Sequence, residues 1–206
     1  MSADIIFVHG WGMGPAFWDG LRARLPEVKA TAVDLGFIGE RQSSDATAEC
    51  NSAIYITHSL GTMWALKNHS HDMRGLIVIN GFSCFQHFAE ERTLQVMKTR
   101  LQKNPEKQMR DFWETSGLPP SDDLNVQRLK EGLEWLASWD VKETLNSLTC
   151  PVLSLAGAND PILPIELMKE EWAGYDMRIC EGEGHGLPLS HPDWCANHIK
   201  DFIHAL

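Results

Sequence analysis

No apolar run in this 206-residue chain is long enough to span a bilayer, and Met1-Ser2-Ala3-Asp4 has none of the basic residues that open a secretory leader. Basic charge is scarce as well: 18 Lys and Arg face 28 Asp and Glu, a formal net charge of -10. That balance argues against a general binder of nucleic acid or of anionic membranes, which needs an excess of cations. Paired cysteines are lacking too. Cys50, Cys84, Cys150, Cys180 and Cys195 are odd in number, scattered, and never spaced as C-x-x-C, so they read as reduced thiols in a cytoplasmic protein. No internal repeat is visible, and no low-complexity tract suggests disorder. What remains is a composition of 43% hydrophobic and 22% charged residues, which predicts one globular domain with a real core.

The apolar pattern predicts strands over residues 4–8, 30–35, 54–57, 75–80, 151–157 and 176–180. Several are continuous apolar runs, the mark of strands buried on both faces. Helical spacing separates them: Phe17, Trp18, Leu21 and Leu25 up to Pro26, the run after Ser59, residues 164–173, and a closing helix from about Pro192. The closing helix is expected to bury Cys195, Ile199, Phe202, Ile203 and Leu206. A short helix is at most expected around residues 46–50. Alternation of this kind implies right-handed βαβ units and a mainly parallel six-stranded sheet flanked by helices. It breaks between Phe82 and Leu148, where only amphipathic helices are predicted: 88–103, then one opened by Asn104-Pro105, then one carrying Leu129, Leu133 and Leu136. The expected division is a core of residues 1–81 and 149–206 with a helical cap of residues 82–148 over the carboxyl edge of the sheet.

Three side chains stand just past the carboxyl ends of strands, where open parallel sheets build their sites: Ser59, Asp160 and His185. Ser59 sits in Thr57-His58-Ser59-Leu60-Gly61, between a β-branched strand and a helix, close to the G-x-S-x-G pattern of a nucleophile elbow but with Thr57 in the first glycine position. Singly, each has a plain reading: a helix N-cap for Ser59, a turn residue before Pro161 for Asp160, a loop residue among nine histidines for His185. Jointly, they occupy the right strand ends in the order Ser, Asp, His. In such a set the histidine takes the serine proton and the aspartate orients the imidazole. After the first strand, His9-Gly10-Trp11-Gly12 is a turn where backbone can approach a ligand, or simply a tight turn with a core indole. His69 and His71, near a helix end, have no neighbouring ligands for a metal.

On these motifs the chain resembles the α/β-hydrolase superfamily over nearly its whole length. The His9 to Gly12 turn with Phe17-Trp18, Ser59 to Gly61, Gly132 to Leu145, Gly157 to Pro164 and His185 to Pro192 resemble, within it, the pimeloyl-acyl-carrier-protein methyl ester esterases of biotin synthesis. The resemblance implies a serine esterase with Ser59, Asp160 and His185 as triad. The backbone N–H groups of Trp11 and Leu60 would form the oxyanion hole. No metal or organic cofactor is implied. Thr57, the absence of proline in Leu35-Gly36-Phe37 and the short connection over residues 39–53 depart from the pattern. A thioesterase or C–C hydrolase with the same triad, or a binding protein whose elbow Thr57 has spoiled, are the alternatives.

Trp11, Phe82, Phe112 and Trp113 are the expected lining of an acyl channel. Residues 92–110 carry six basic side chains against Glu106 alone. Arg100 and Lys103 are helical neighbours, as are Lys107 and Arg110. They make either a solvated face or a docking patch for an acidic carrier protein. A small acyl ester is the expected substrate, with no nucleic acid, no membrane and a monomeric state.

Overall fold

The computed structural model describes residues 4–27, 29–39 and 52–206; the short helix expected around residues 46–50 lies outside them. Six strands form one sheet: β1 (Ile5–Val8), β2 (Ala30–Val33), β3 (Ala53–His58), β4 (Met73–Ile79), β5 (Val152–Gly157) and β6 (Asp176–Cys180). Their order is β2-β1-β3-β4-β5-β6, with every pairing parallel. The fold is that of an α/β hydrolase. β1, β3 and β5 are buried throughout, as their unbroken apolar runs require, while the edge strand β6 alternates exposed and half-buried residues.

The chain leaves β1 for β2 on one side and returns to β3 on the other, so the order of the parallel strands reverses between β1 and β3. The crevice at that reversal is where open α/β sheets bind ligands. The turns after both strands meet there. A Cβ on Gly10 would stand 2.8 Å from His58 Nδ1 and 3.0 Å from Ser59 Cβ.

Around the sheet run α1 (Asp19–Arg22), α2 (Leu60–His69), α7 (Ile165–Glu171), α8 (Leu187–Ser190) and α9 (Pro192–His204). α2 lies on β1 and β3, and α1 packs with α8 and α9. On β4, Gly75 leaves the space that Phe202 and Leu206 fill. Cys195 and Ile199 of α9 are buried, whereas Phe202, Ile203 and Leu206 stay partly exposed at the rim. The helix expected from Phe17 to Leu25 divides into a 3-10 turn, Pro15–Trp18, and the single turn of α1. Pro15 starts a tight turn and Gly20 weakens the helix behind it.

Between β4 and β5 come α3 (Glu91–Lys103), α4 (Pro105–Ser116), α5 (Val126–Ser138) and α6 (Lys142–Asn146). Asn104 and Asn125 cap α4 and α5 by accepting the N–H of Lys107 and Arg128. α3 begins at Glu91 rather than Phe88, because Phe82, Phe85 and Phe88 cluster (5.0 and 5.8 Å between ring centres) around a 3-10 turn. The neck of this helical segment is closed by a bridge between Cys84 and Asp140 and by Val141 N–H donating to Ser83 O at 3.0 Å. Buried Glu171 of α7 pins it further by accepting Ser83 N–H at 2.8 Å. α6, beyond the neck, packs back on α2.

Candidate active site

Ser59 occupies φ 52, ψ -127, between the last residue of β3 and the first of α2. A side chain rarely adopts that conformation, and it holds only where the surroundings impose it. The surroundings are backbone. A Cβ on Gly61 would come within 2.6 Å of His9 O and closer still to Val8 O, so only glycine lets α2 start so near β1. Thr57 fits the first glycine position because its hydroxyl pairs with that of Thr62 at 2.8 Å, fully buried. Gly81 gives way instead: a Cβ there would strike Thr62. The departure from G-x-S-x-G is thus matched by a hydroxyl pair between β3 and α2.

The structure brings Ser59, His185 and Asp160 into one line. His185 Nδ1 lies 2.7 Å from Asp160 Oδ2, and Nε2 lies 3.2 Å from Ser59 Oγ. Asp160 Oδ1 accepts the N–H groups of Ile162 and Leu163 at 2.8 and 3.0 Å, which fixes the carboxylate. An ionised carboxylate only accepts, so Nδ1 carries the imidazole proton and the Nε2 lone pair faces the serine. The rival histidines stand elsewhere. His191 is exposed and paired with Glu183 at 3.1 Å. His58 is buried with Nε2 2.9 Å from the carbonyl of His185. Burial, and next the neighbouring His185, push the His58 pKa well below 6.5, so its ring is neutral.

Leu60 is the first residue of α2, where a backbone N–H has no carbonyl one turn back. Trp11 follows Gly10 in the turn against Ser59, and its own indole donates to Leu129 O of α5 at 2.8 Å. Of the two N–H groups expected for an oxyanion, one therefore belongs to the start of α2 and the other to the turn after β1, both beside Ser59.

Above Ser59 lies a cavity of about 450 Å³. Trp11, Phe82 and Phe112 line it, with Phe85, Leu94 and Met97 among the further apolar side chains. Trp113 departs from expectation. Its side chain is not in that lining, and its indole N–H donates to Gly12 O at 2.9 Å, so it braces the turn. Near α3 and α4 the lining turns polar, with Arg100, Gln108 and Asp111. These three also line a groove of about 250 Å³ together with Lys103 and Lys107. Arg110 is exposed but outside that groove. Two charges of the basic run are already opposed: Lys107 by Asp111 at 2.9 Å and Lys98 by Glu134 at 2.8 Å. Among the described residues, no group of three or more His, Cys, Asp and Glu could hold a metal ion, and no helix is long and apolar enough to cross a membrane.

Asn80 escaped the sequence reading. It directly follows β4 at φ 44, fully buried, and its side chain joins the end of β5, before Asp160, to the loop that carries His185. An Asn-Gly pair at a strand end is the signal that pointed to it, because asparagine tolerates the left-handed region.

A model of the alpha/beta hydrolase family matches residues 5–198. Among curated proteins, the chain is similar to the pimeloyl-[acyl-carrier protein] methyl ester esterase of Aromatoleum aromaticum, 26% identical over 97% of this chain and 98% of that protein. The enzyme of the same name from Serratia marcescens is 25% identical over 98% of this chain and 94% of its own. Of solved structures, bromoperoxidase from Bacillus anthracis superposes with a TM-score of 0.83 at 14% identity, covering 99% and 92% of the two chains. An esterase from Exiguobacterium antarcticum gives 0.80 at 15%, covering 98% and 92%. At such identities the structural likeness speaks for the fold.

Proposed function

The chain belongs to the alpha/beta hydrolase family, and from that membership and its site we propose that it is a serine carboxylesterase. The observation that carries the reading is the hydrogen-bonded line from Ser59 through His185 to Asp160 at the foot of an apolar cavity. Ser59 Oγ attacks the ester carbonyl carbon while its proton passes to His185 Nε2. Asp160 stabilises the imidazolium. The tetrahedral oxyanion is held by the N–H groups of Leu60 and Trp11, each donor lowering the barrier by ~3 kcal/mol. The C–O bond to the alcohol then breaks, and His185 returns the proton to the leaving oxygen. Water, deprotonated by the same nitrogen, attacks the acyl-serine and releases the acid.

α3, α4 and α5 serve in this reading as the cap that shields the acyl chain, within the segment of residues 82–148. An apolar chain gains ~0.8 kcal/mol per buried methylene there. The finer proposal is a methyl ester carried on an acyl carrier protein. It is supported by the names of the relatives and by the groove of Arg100, Lys103 and Lys107, which meets the cavity. The deciding experiment is hydrolysis of p-nitrophenyl butyrate by the unmodified protein and by Ser59→Ala. A fall in kcat of about 10⁴ to 10⁶-fold with the fold intact is expected. Activity retained within tenfold would reject Ser59 as nucleophile, and no turnover by the unmodified protein would favour a binding protein instead.

A further inference from the structure

β4 is the strand between the one that ends at the serine and the one that leads to the aspartate. Its last residue, Ile79, and the residue after it, Asn80, touch all three parts of the site. Ile79 O accepts the backbone N–H of Ser59 at 3.3 Å. Asn80 Oδ1 accepts the N–H of Gly157, at the end of β5, at 2.8 Å. Asn80 Nδ2 donates to Gly184 O and to His185 O, both at 2.9 Å. The carbonyl of His185 thereby receives two side chains, since His58 Nε2 meets it at the same distance. Every hydrogen-bonding direction is set by partner chemistry: a carbonyl only accepts and an amide N–H only donates, so neither Asn80 nor His58 can turn its ring or amide over without losing a bond.

We propose that Asn80 is a positioning residue of the hydrolytic site: its amide ties the backbone of His185 and the strand end before Asp160 to the strand that anchors Ser59. This inference rests on the esterase reading of the site. The aspartate and histidine loops are already joined to each other, by Asn159 N–H on Glu183 O at 2.7 Å and Ala158 N–H on Cys180 O at 3.0 Å. They form one hydrogen-bonded pair beside the serine turn. Asn80 and His58 are the side chains that hold that pair to the centre of the sheet. Positioning matters here because the Nε2 to Oγ separation of 3.2 Å is at the long end for proton transfer, and a 1 Å displacement costs about 10²-fold in rate. The left-handed φ of 44 restricts the position to asparagine, aspartate or glycine without strain, and only asparagine supplies donor and acceptor together.

Asn80→Gly removes the amide and leaves the backbone unstrained. Its effect is to be measured on p-nitrophenyl acetate in the native protein and in His185→Ala. A residue that acts through His185 should lower kcat roughly 30 to 100-fold in the native background, with KM within about twofold, and should change the residual rate of His185→Ala by less than about twofold. A loss below threefold in the native background, or the same loss in both, overturns the proposal. Should Asn80→Gly not fold, Asn80→Asp keeps the shape and the acceptor for Gly157 N–H but lacks the donor, and it must show the same dependence on His185. The nitrogen-15 and proton signals of the His185 imidazole supply a readout without turnover. They should shift or broaden in the variant, and unchanged signals reject the inference. Turnover by the unmodified protein judges the esterase reading separately.

Discussion

Gly61 and Gly132 both sit where a second carbon would collide, and the collisions differ in kind. At Gly61, beneath the cavity, the obstacles are the carbonyl oxygens of Val8 and His9. At Gly132, in α5 above it, they are Trp11 Cδ1 at 2.5 Å and the ring of Phe37 at 2.7 Å. Below Ser59 two close approaches are backbone against backbone: helix start on strand at Gly61 and strand end on loop at Gly157, where a Cβ would come within 2.6 Å of Gly184 O. Above it the cavity is closed by side chains on helices, and side chains can repack. The floor therefore fixes chemistry, and the roof is where a related chain can alter its substrate at small cost to the fold.

Alanine at the two glycines breaks or sharpens this contrast most strongly. Gly61→Ala must displace main chain in a packed interior, which costs about 1–3 kcal/mol or more. For a domain of this size that corresponds to a Tm lower by roughly 2 to 12 °C, together with loss of esterase activity as the elbow shifts. Gly132→Ala gains up to about 1 kcal/mol of helix propensity, which offsets the displacement of the rings. Its Tm should stay within a few degrees, while its preference along a series of p-nitrophenyl esters changes because the Trp11 indole moves. Thermal unfolding and the ester series measure both. Equal Tm losses would show that the roof is as unyielding as the floor.

The floor also carries a buried histidine that the roof does not match. His58 is neutral in the fold, its pKa held well below 6.5 by burial and by His185, whereas in the unfolded chain it takes a proton near 6.5. Between those two values the unfolded state binds more protons, so stability rises with pH and is lost as pH falls below 6.5. Burial lowers the pKa of His69 and His198 as well, with the same sign. His58→Gln should remove one such contribution, flattening the decline of stability below pH 6.5 by up to about 1.4 kcal/mol per pH unit. Tm measured from pH 7.5 to 5 checks it. A slope identical to that of the native protein would mean that His58 is protonated in the fold.

The same division explains what the sequence disclosed. Strands β1, β3, β4 and β5 are near-continuous apolar runs, and Ser59, Asp160 and His185 follow strands, so periodicity and chain order were enough to place them at one edge. Gly10, in the His9 to Gly12 turn, marked one close approach. The roof resisted because helical periodicity tells which face is apolar but not which neighbour it meets. Trp113 and Phe112 adjoin in sequence, yet one braces Gly12 and the other lines the cavity. The 3-10 turn at Phe85 arises from contacts among three phenylalanines that no local signal encodes. Asn80 lay hidden for a related reason: its partners at 157, 184 and 185 are remote in the chain.

The smallest expected effect concerns the outer face of the roof and asks whether it takes part in substrate delivery. Asn104-Pro105 breaks the helix between Lys103 and Lys107, yet α3 and α4 fold so that Arg100, Lys103 and Lys107 face one groove. Lys107 is opposed by Asp111, and Arg100 lines the cavity as well, so neither reports docking alone. Lys103 and Arg110 make the cleaner pair: both are exposed, one is in the groove and one is outside it. Rim charges act mainly on association rate and its salt dependence. With a carrier-linked methyl ester at low salt, Lys103→Glu should lower kcat/KM about threefold to fivefold, and Arg110→Glu less than about twofold. At about 1 M salt, where screening shortens to about 3 Å, the two variants should converge. If they fall equally, or if Lys103→Glu slows a small free ester as much as the carried one, the groove is a solvated surface and the roof serves only to enclose the chain.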